Sequence, residues 1–217
     1  MRTTACVTAA SLLSVLLAAA TWCAPAKPAV VKLPKGDFAL ELTFEDGTKL
    51  NVTNKGTPLR AGTYTVKSLC LYKKDEKNRV WELHGAGPLG TMDSVTVEAE
   101  QEKILDPGPP IAFRVGAYQP KDRPGAVVIE VMVHGKYGEG YYPGAFLGRN
   151  RPPAPAFRVL NDAGKTVLAG EITVGKGAGG SYVWNPPAGL TGKFKIEVKP
   201  FMGPFEWATV PREFELK

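Results

Sequence analysis

The sequence predicts an all-β protein in which two β-sandwich modules follow a signal peptide. Apolar and polar residues alternate in many short segments, which is the pattern of strands that bury only one face. Beyond residue 26, no segment of useful length has the helical periodicity of about 3.6 residues. A stretch rich in proline and glycine separates the strand segments into two groups. These three observations predict two separate pairs of packed sheets.

Residues 1–26 have the three parts of a secretory signal peptide. Arg2 precedes the apolar segment AASLLSVLLAAA, and the small residues Ala24-Pro25-Ala26 close it. We therefore predict a secreted or periplasmic protein whose mature chain begins at Lys27 and has no stable membrane span. The alternative is a membrane anchor made by the uncleaved segment, because about 20 apolar residues suffice to span a bilayer.

Residues 27–106 form the first predicted β-sandwich module. Its clearest strand is FALELTF at 38–44, in which Leu40 and Leu42 share one face and Glu41 takes the other. The pair Asp46-Gly47 follows and predicts a tight hairpin, because such turns need a positive φ. Further strands are predicted at 50–52, 62–72, 80–84 and 95–99, with the charged run 73–78 as a solvated loop. Residues 107–110 are a Pro/Gly linker that no strand crosses, since prolines remove backbone donors.

Residues 111–217 form the second predicted β-sandwich module. The cleanest alternation is KFKIEVK at 193–199, with apolar residues inward and charged residues outward. The run Asn161–Gly164 has the Asn, Asp and Gly composition of a turn. The other strands are predicted at 111–118, 127–133, 157–160, 167–174, 181–184 and 206–215. Trp81, Trp184 and Trp207 lie in or beside predicted strands and are expected in the core.

The stretch from Phe157 to Val198 resembles the immunoglobulin-like modules of bacterial secreted and surface proteins. Such modules run through a strand, a polar turn with glycine, another strand, a strand with tryptophan and a Gly-x-aromatic start of a later strand. Leu190, Gly192 and Phe194 match that last element, with Phe where many members have Tyr. The resemblance implies immunoglobulin-like or fibronectin-like sandwiches, and it implies no activity.

The net charge limits the classes of binding partner, and the cysteine count limits the possible disulfides. The chain has 27 Lys and Arg against 21 Asp and Glu, a formal net charge of +6. The charges are interspersed, so the dense basic stripe of a nucleic-acid-binding protein is missing and we expect no nucleic acid as partner. Mild basicity weakly favours anionic partners such as acidic polysaccharides or membrane surfaces, and ordinary solubility is the better explanation of it. Of the three cysteines, at 6, 23 and 70, only Cys70 would remain after cleavage, and it is expected to be a small buried hydrophobe.

The sequence predicts no catalytic residue, no metal site and no cofactor. His84 and His134 each lie near the end of a predicted strand, without the short ligand spacing of a metal site. Cys70 could pair with either histidine, but nothing in the sequence brings them together. Its flanks also lack the glycine-bounded turn that exposes a nucleophile.

The segment 134–155 is the strongest candidate for ligand binding. It is long and rich in glycine, and loops of such length without their own structure tend to be functional or disordered. Tyrosine suits binding because it has an apolar face and a polar tip, and paired arginines can bind a carboxylate. The alternative is that its aromatics close the open end of the sandwich. The candidate ligand-binding residues are Tyr137, Glu139, Tyr141, Tyr142, Arg149 and Arg151.

We therefore expect an exported, non-catalytic protein with a role in binding or surface organisation. Its partner would be a protein or a polysaccharide at the cell surface. One alternative is a carbohydrate-binding module, which predicts coplanar exposed aromatics on one surface. Another alternative is an exported hydrolase or inhibitor whose site is built from the segment 134–155.

Overall fold

The computed structural model describes residues 27–34, 38–175 and 177–216, and in these the protein is all-β with several sheets. Within these ranges the only helix is a three-residue 3-10 turn, Gly90–Met92. The predicted signal peptide, 1–26, lies outside the described residues. No helix in the described part of the chain is long and apolar enough to cross a membrane.

The first half of the chain forms a six-stranded and a three-stranded sheet. Its strands are β1 (Ala29–Lys32), β2 (Phe38–Phe44), β3 (Lys49–Val52), β4 (Thr57–Leu59), β5 (Gly62–Lys74), β6 (Val80–His84), β7 (Ser94–Val97) and β8 (Glu102–Ile104). The three-stranded sheet has the order β4-β1-β8, with β1 and β8 parallel. In the larger sheet, β3, β2, β5 and β6 are successive neighbours, and β7 pairs with the beginning of β5.

Alternation along β2 builds this core. Leu40, Leu42 and Phe44 are buried, and so are Leu69 and Leu71 on β5. The turn at Asp46-Gly47 joins β2 to β3 as predicted, and the φ of Gly47 is 84°. Ala29 and Val31 of β1 belong to the same apolar cluster, which also includes buried residues of the second half.

The second half of the chain forms a five-stranded and a four-stranded sheet. Its strands are β9 (Ile111–Tyr118), β10 (Val127–His134), β11 (Phe146–Leu147), β12 (Ala156–Asn161), β13 (Thr166–Glu171), β14 (Thr173–Val174), β15 (Gly179–Trp184), β16 (Gly192–Lys199), β17 (Trp207–Val210) and β18 (Arg212–Leu216). The sheet orders are β14-β15-β10-β9-β17 and β13-β12-β16-β18. β17 and β18 lie in different sheets on either side of Pro211, and β17 runs parallel to β9.

Aromatic rings join the two sheets of the second half. Trp184 of β15 meets Phe194 of β16 with ring centroids 6.0 Å apart, and Phe157 of β12 meets Tyr182 of β15 at 4.9 Å.

Trp81 and Trp184 are buried, as predicted. The prediction for Trp207 is wrong, because its side chain is 40% exposed. It lies on β17, an edge strand of its sheet, where one flank has no neighbouring strand.

The two halves share main-chain hydrogen bonds. β11, which belongs to the second half by sequence, is an edge strand of the six-stranded sheet and pairs with β6. The amide of Ala86 donates to the carbonyl of Gly140 over 2.9 Å, and the amide of Gly140 donates to Pro88 over 2.7 Å. The amide of Tyr142 donates to the carbonyl of His84 over 2.9 Å. The segment from His134 to Leu147 therefore connects both halves.

Candidate functional site

The beginning of the predicted binding loop is buried in this junction. Glu139 and Tyr141 have no exposed surface. One carboxylate oxygen of Glu139, Oε1, accepts hydrogen bonds from the Gly108 amide at 2.6 Å and the Tyr141 hydroxyl at 3.0 Å. The other oxygen accepts the Tyr137 amide at 2.8 Å. Neutral donors, one of them from the predicted linker, therefore satisfy this buried carboxylate.

Close packing surrounds the Glu139 carboxylate. A Cβ placed on Gly135 would lie 2.2 Å from the Glu139 Oε1 and 2.7 Å from the Tyr141 ring, so a larger residue there would displace both buried side chains. Burial, together with the neighbouring carboxylate, raises the pKa of Tyr141 well above its ordinary value, which keeps its hydroxyl a donor. Lys136 forms an ion pair with Asp106 across the same junction. This arrangement fixes the linker to the segment 134–155.

The structure separates the six predicted ligand-binding residues. The burial of Glu139 and Tyr141 favours the core-closing alternative for these two, because a ligand from solvent does not reach them. Tyr137 is 42% exposed, and Arg149 is exposed on its own part of the loop. Outside the buried cluster around Glu139, Tyr142 and Arg151 form a second pair, through a hydrogen bond of 2.6 Å from the Arg151 Nε to the Tyr142 hydroxyl. That pair lines a small cavity of about 290 Å³ beside Glu171 and Thr173.

A larger cleft of about 810 Å³ lies between the two halves. One wall is the end of the β5–β6 hairpin, and the other is the segment Pro200–Pro204 with Trp207. Phe201 and Trp207 are 43% and 40% exposed, and the ring of Trp81 lies behind Phe201 with centroids 5.6 Å apart. We name this region the aromatic cleft. Its charged lining residues are Lys73, Lys74, Asp75, Glu76, Lys77 and Arg79.

Hydrogen bonds hold both walls of the aromatic cleft in place. Met202 and Phe205 are buried, and the amide of Ala145 donates to the carbonyl of Phe201 over 2.9 Å, so Phe201 projects from an anchored loop. On the other wall, the Asp75 Oδ2 accepts the Trp81 Nε1 at 3.0 Å and the Arg79 Nε at 2.7 Å. The hydrogen bond from Trp81, followed by those from Arg79 and Lys77, holds the pKa of Asp75 well below its ordinary value.

A third cluster lies on the outer face of the six-stranded sheet. Cys70 of β5 is directly opposite His84 of β6, and Glu82 lies two residues before His84 on the same face. The Glu82 Oε2 and the His84 Nε2 are 3.0 Å apart. Burial raises the pKa of the Cys70 thiol to about 12, and the Glu82 and Glu41 carboxylates act in the same direction. Because the thiolate is the nucleophile, this environment does not favour nucleophilic catalysis.

Comparisons with known proteins assign no family to this chain. No family model matches it, and no curated protein matches it significantly. Among solved structures, the chain is similar to a DUF3823 family protein from Bacteroides ovatus at 12% identity. That match covers 81% of this chain and 91% of the other, with a TM-score of 0.26.

Sequence reasoning missed both the aromatic cleft and the Cys70 cluster. The run Pro200-Phe201-Met202-Gly203-Pro204 carried a signal, because an aromatic between prolines and a glycine is held in a constrained loop. For the Cys70 cluster the signal was the spacing of Glu82 and His84, because residues two apart in a strand place their metal-ligating side chains on the same face. Nothing in the sequence places Cys70 directly opposite His84, since that depends on strand register.

Proposed function

We propose that this chain is an exported, non-catalytic protein of two immunoglobulin-like β-sandwich modules that binds an acidic polysaccharide at the cell surface. The observation that carries the proposal is the aromatic cleft, where half-exposed rings stand beside exposed amines. The rings of Phe201 and Trp207 offer apolar faces to the C–H faces of sugar rings. The exposed Lys74 and Lys77 lie within reach of the carboxylates of uronate units.

The modular part of the proposal is supported by strand order. In the second half, the first two strands, β9 and β10, are antiparallel neighbours in one sheet. A buried tryptophan, Trp184, packs against a ring on the opposite sheet. These features are common to immunoglobulin-like and fibronectin-like sandwiches. Export is supported by the three-part pattern of residues 1–26.

A polysaccharide fits the aromatic cleft better than a folded protein does. The rings that line it are not coplanar, since Trp81 and Phe201 are inclined by 53°. Such a cleft suits a curved or twisted chain of sugars. Four basic and two acidic side chains line it, so its local charge favours a polyanion. The hydrolase alternative finds little support in the neutral, buried Cys70 thiol.

The test is titration of the full chain with polygalacturonate by calorimetry, with an uncharged glucan as comparison. We expect binding of the uronate polymer that weakens as salt screens the amines. Phe201→Ala and Trp207→Ala should each weaken binding about two- to twelvefold, because a ring contact contributes about 0.5–1.5 kcal/mol. The control is Tyr137→Ala, which removes an equally exposed ring of the predicted loop and should leave the affinity unchanged.

Three outcomes would overturn this proposal. Absence of uronate binding at low salt would reject the ligand, and loss of binding in Tyr137→Ala alone would assign the site to the segment 134–155. Binding of the glucan with equal affinity would favour a general carbohydrate-binding module. Export is tested separately: when cells express the full sequence, mass spectrometry of the protein recovered from them should find Lys27 at its N-terminus.

A further inference from the structure

The register of two strands brings three metal-ligating side chains to one point. β5 and β6 are antiparallel, and Cys70 is the direct cross-strand partner of His84. Directly opposed residues have their Cβ atoms about 4.5–5.5 Å apart and point to the same face. Glu82 precedes His84 by two residues and so projects from that face as well. The buried Leu71 and Leu83 project from the opposite face, into the core.

The donor atoms are close enough to share one ion. The Cys70 Sγ, a Glu82 carboxylate oxygen and a His84 ring nitrogen all lie within 4.8 Å of one another. Ligands bonded to zinc at about 2.0–2.3 Å in a tetrahedron stand about 3–4 Å apart. Small side-chain rotations would therefore close the cluster around an ion, without a change in the backbone.

We propose that Cys70, Glu82 and His84 form a binding site for Zn²⁺. Sulfur, imidazole nitrogen and carboxylate oxygen are the three donor types that zinc takes in proteins. Three protein ligands leave a fourth tetrahedral position for water or for a group of a bound partner. On binding, the thiol proton of Cys70 leaves to solvent as the sulfur–zinc bond forms, and the hydrogen bond between Glu82 and His84 gives way to two bonds to the metal.

The surroundings of the cluster suit a metal site with an entry path. Cys70 is buried at the bottom, whereas the side chains of His84 and Glu82 are 44% and 27% exposed, so an ion would enter from the solvent side. Phe146 of β11 packs edge-on against the His84 ring with centroids 4.7 Å apart and restricts its orientation. Glu41, directly opposite Cys70 on the other flanking strand, adds a further negative charge near the site.

This site is independent of the aromatic cleft. Trp81 and Glu82 are neighbours in β6 and therefore project to opposite faces of the sheet. Loss of uronate binding would leave the zinc proposal untouched, and the reverse also holds.

The test uses Co²⁺ as a spectroscopic substitute for Zn²⁺ in the full chain with Cys6→Ala and Cys23→Ala, so that Cys70 is the sole thiol. We expect one equivalent of Co²⁺ to produce a thiolate-to-cobalt charge-transfer absorption that added Zn²⁺ abolishes. Cys70→Ser should remove this absorption. His84→Gln and Glu82→Gln should each weaken metal binding at least about tenfold, whereas the control His134→Gln should leave it unchanged.

Circular dichroism of each metal-free variant verifies that it is folded. A second measurement is the rate at which iodoacetamide alkylates Cys70 in the protein that retains Cys70, Glu82 and His84. Bound Zn²⁺ should slow this alkylation. Absence of the charge-transfer absorption in a folded chain would overturn the proposal. The proposal would also be overturned if the absorption appeared but neither His84→Gln nor Glu82→Gln changed the affinity for Co²⁺.

Discussion

The two halves of the chain meet in two regions of opposite character. Around Glu139 the junction is closed, since main-chain hydrogen bonds join the halves and the Glu139 carboxylate is fully buried between them. Around Phe201 the same halves stand apart and leave a cleft of about 810 Å³. The closed region connects the halves through backbone atoms, whereas side chains line the open one. A fixed contact on one side allows the open side to keep its shape without a ligand.

Two carboxylates illustrate the same difference. Glu139 is buried and is satisfied by two backbone amides and a hydroxyl. Asp75, at the open region, accepts hydrogen bonds from Trp81, Arg79 and Lys77 in a solvated hairpin. Loss of the Glu139 carboxylate leaves buried hydrogen-bond donors without an acceptor, whereas water can replace the Asp75 carboxylate as acceptor. The energetic consequences of substitution should therefore be large at the closed region and small at the open one.

The largest expected effect is that of Glu139→Ala. This change leaves the amides of Gly108 and Tyr137 and the hydroxyl of Tyr141 without their acceptor in a buried site. Each stranded donor costs about 1–3 kcal/mol, so the free energy of unfolding should fall by about 3 kcal/mol or more. Urea unfolding of the parent and of Glu139→Ala at neutral pH measures this loss of free energy of unfolding.

The control for this prediction is Glu45→Ala, which removes an exposed carboxylate in the turn after β2. It should change the free energy of unfolding by less than about 0.5 kcal/mol. A loss below about 1 kcal/mol in Glu139→Ala would contradict the closed junction described above.

An intermediate effect is expected for Gly203→Ala in the wall of the aromatic cleft. Gly203 has a φ of 54°, and a Cβ there would lie 2.6 Å from the Trp81 ring. Gly148 has a similar φ of 60° but open space around a Cβ. Gly203→Ala should therefore be less stable than Gly148→Ala by about 1–3 kcal/mol, which is the usual cost of overpacking. Thermal unfolding of both variants measures it, and equal losses would mean that the ring moves away freely.

The sequence predicted the strands well because alternation is local. The segments at 38–44, 80–84, 111–118 and 193–199 all lie within observed strands, whose inward residues are those that the period of two selects. The turn at Asp46-Gly47 was equally readable, since its glycine has the positive φ that such turns need. Local patterns predict elements, and they say little about which elements become neighbours.

The candidate sites depended on neighbours that no local pattern specifies. The sequence predicts Glu139 as a ligand-binding residue because it lies among tyrosines in a long loop. Its partner Gly108 lies 31 residues away, in a segment predicted only to be a linker. Trp207 was expected in the core, although an edge strand leaves it partly exposed. The meeting of Cys70 with His84 follows from the register of β5 and β6, which a single-residue slip would destroy.

The smallest expected effect is that of Asp75→Asn, and it should depend on pH. The folded pKa of Asp75 lies below its ordinary value of 3.8, so the carboxylate stabilises the fold above pH 3.8 and loses that contribution as the pH falls below it. At pH 7 the free energy of unfolding of Asp75→Asn should be lower than that of the parent, and this loss should be smaller than the loss caused by Gly203→Ala. The difference between Asp75→Asn and the parent should shrink below pH 3.8.

Urea midpoints of both proteins at neutral and acid pH measure this change. Asp162→Asn, in the exposed turn after β12, is the control and should match the parent at neutral pH. Asp75→Asn should also weaken uronate binding, because Trp81 and Arg79 lose the acceptor that orients them. A variant that binds and unfolds like the parent at every pH would mean that the cleft walls hold their shape without this carboxylate. The open region would then derive its rigidity from the closed junction alone.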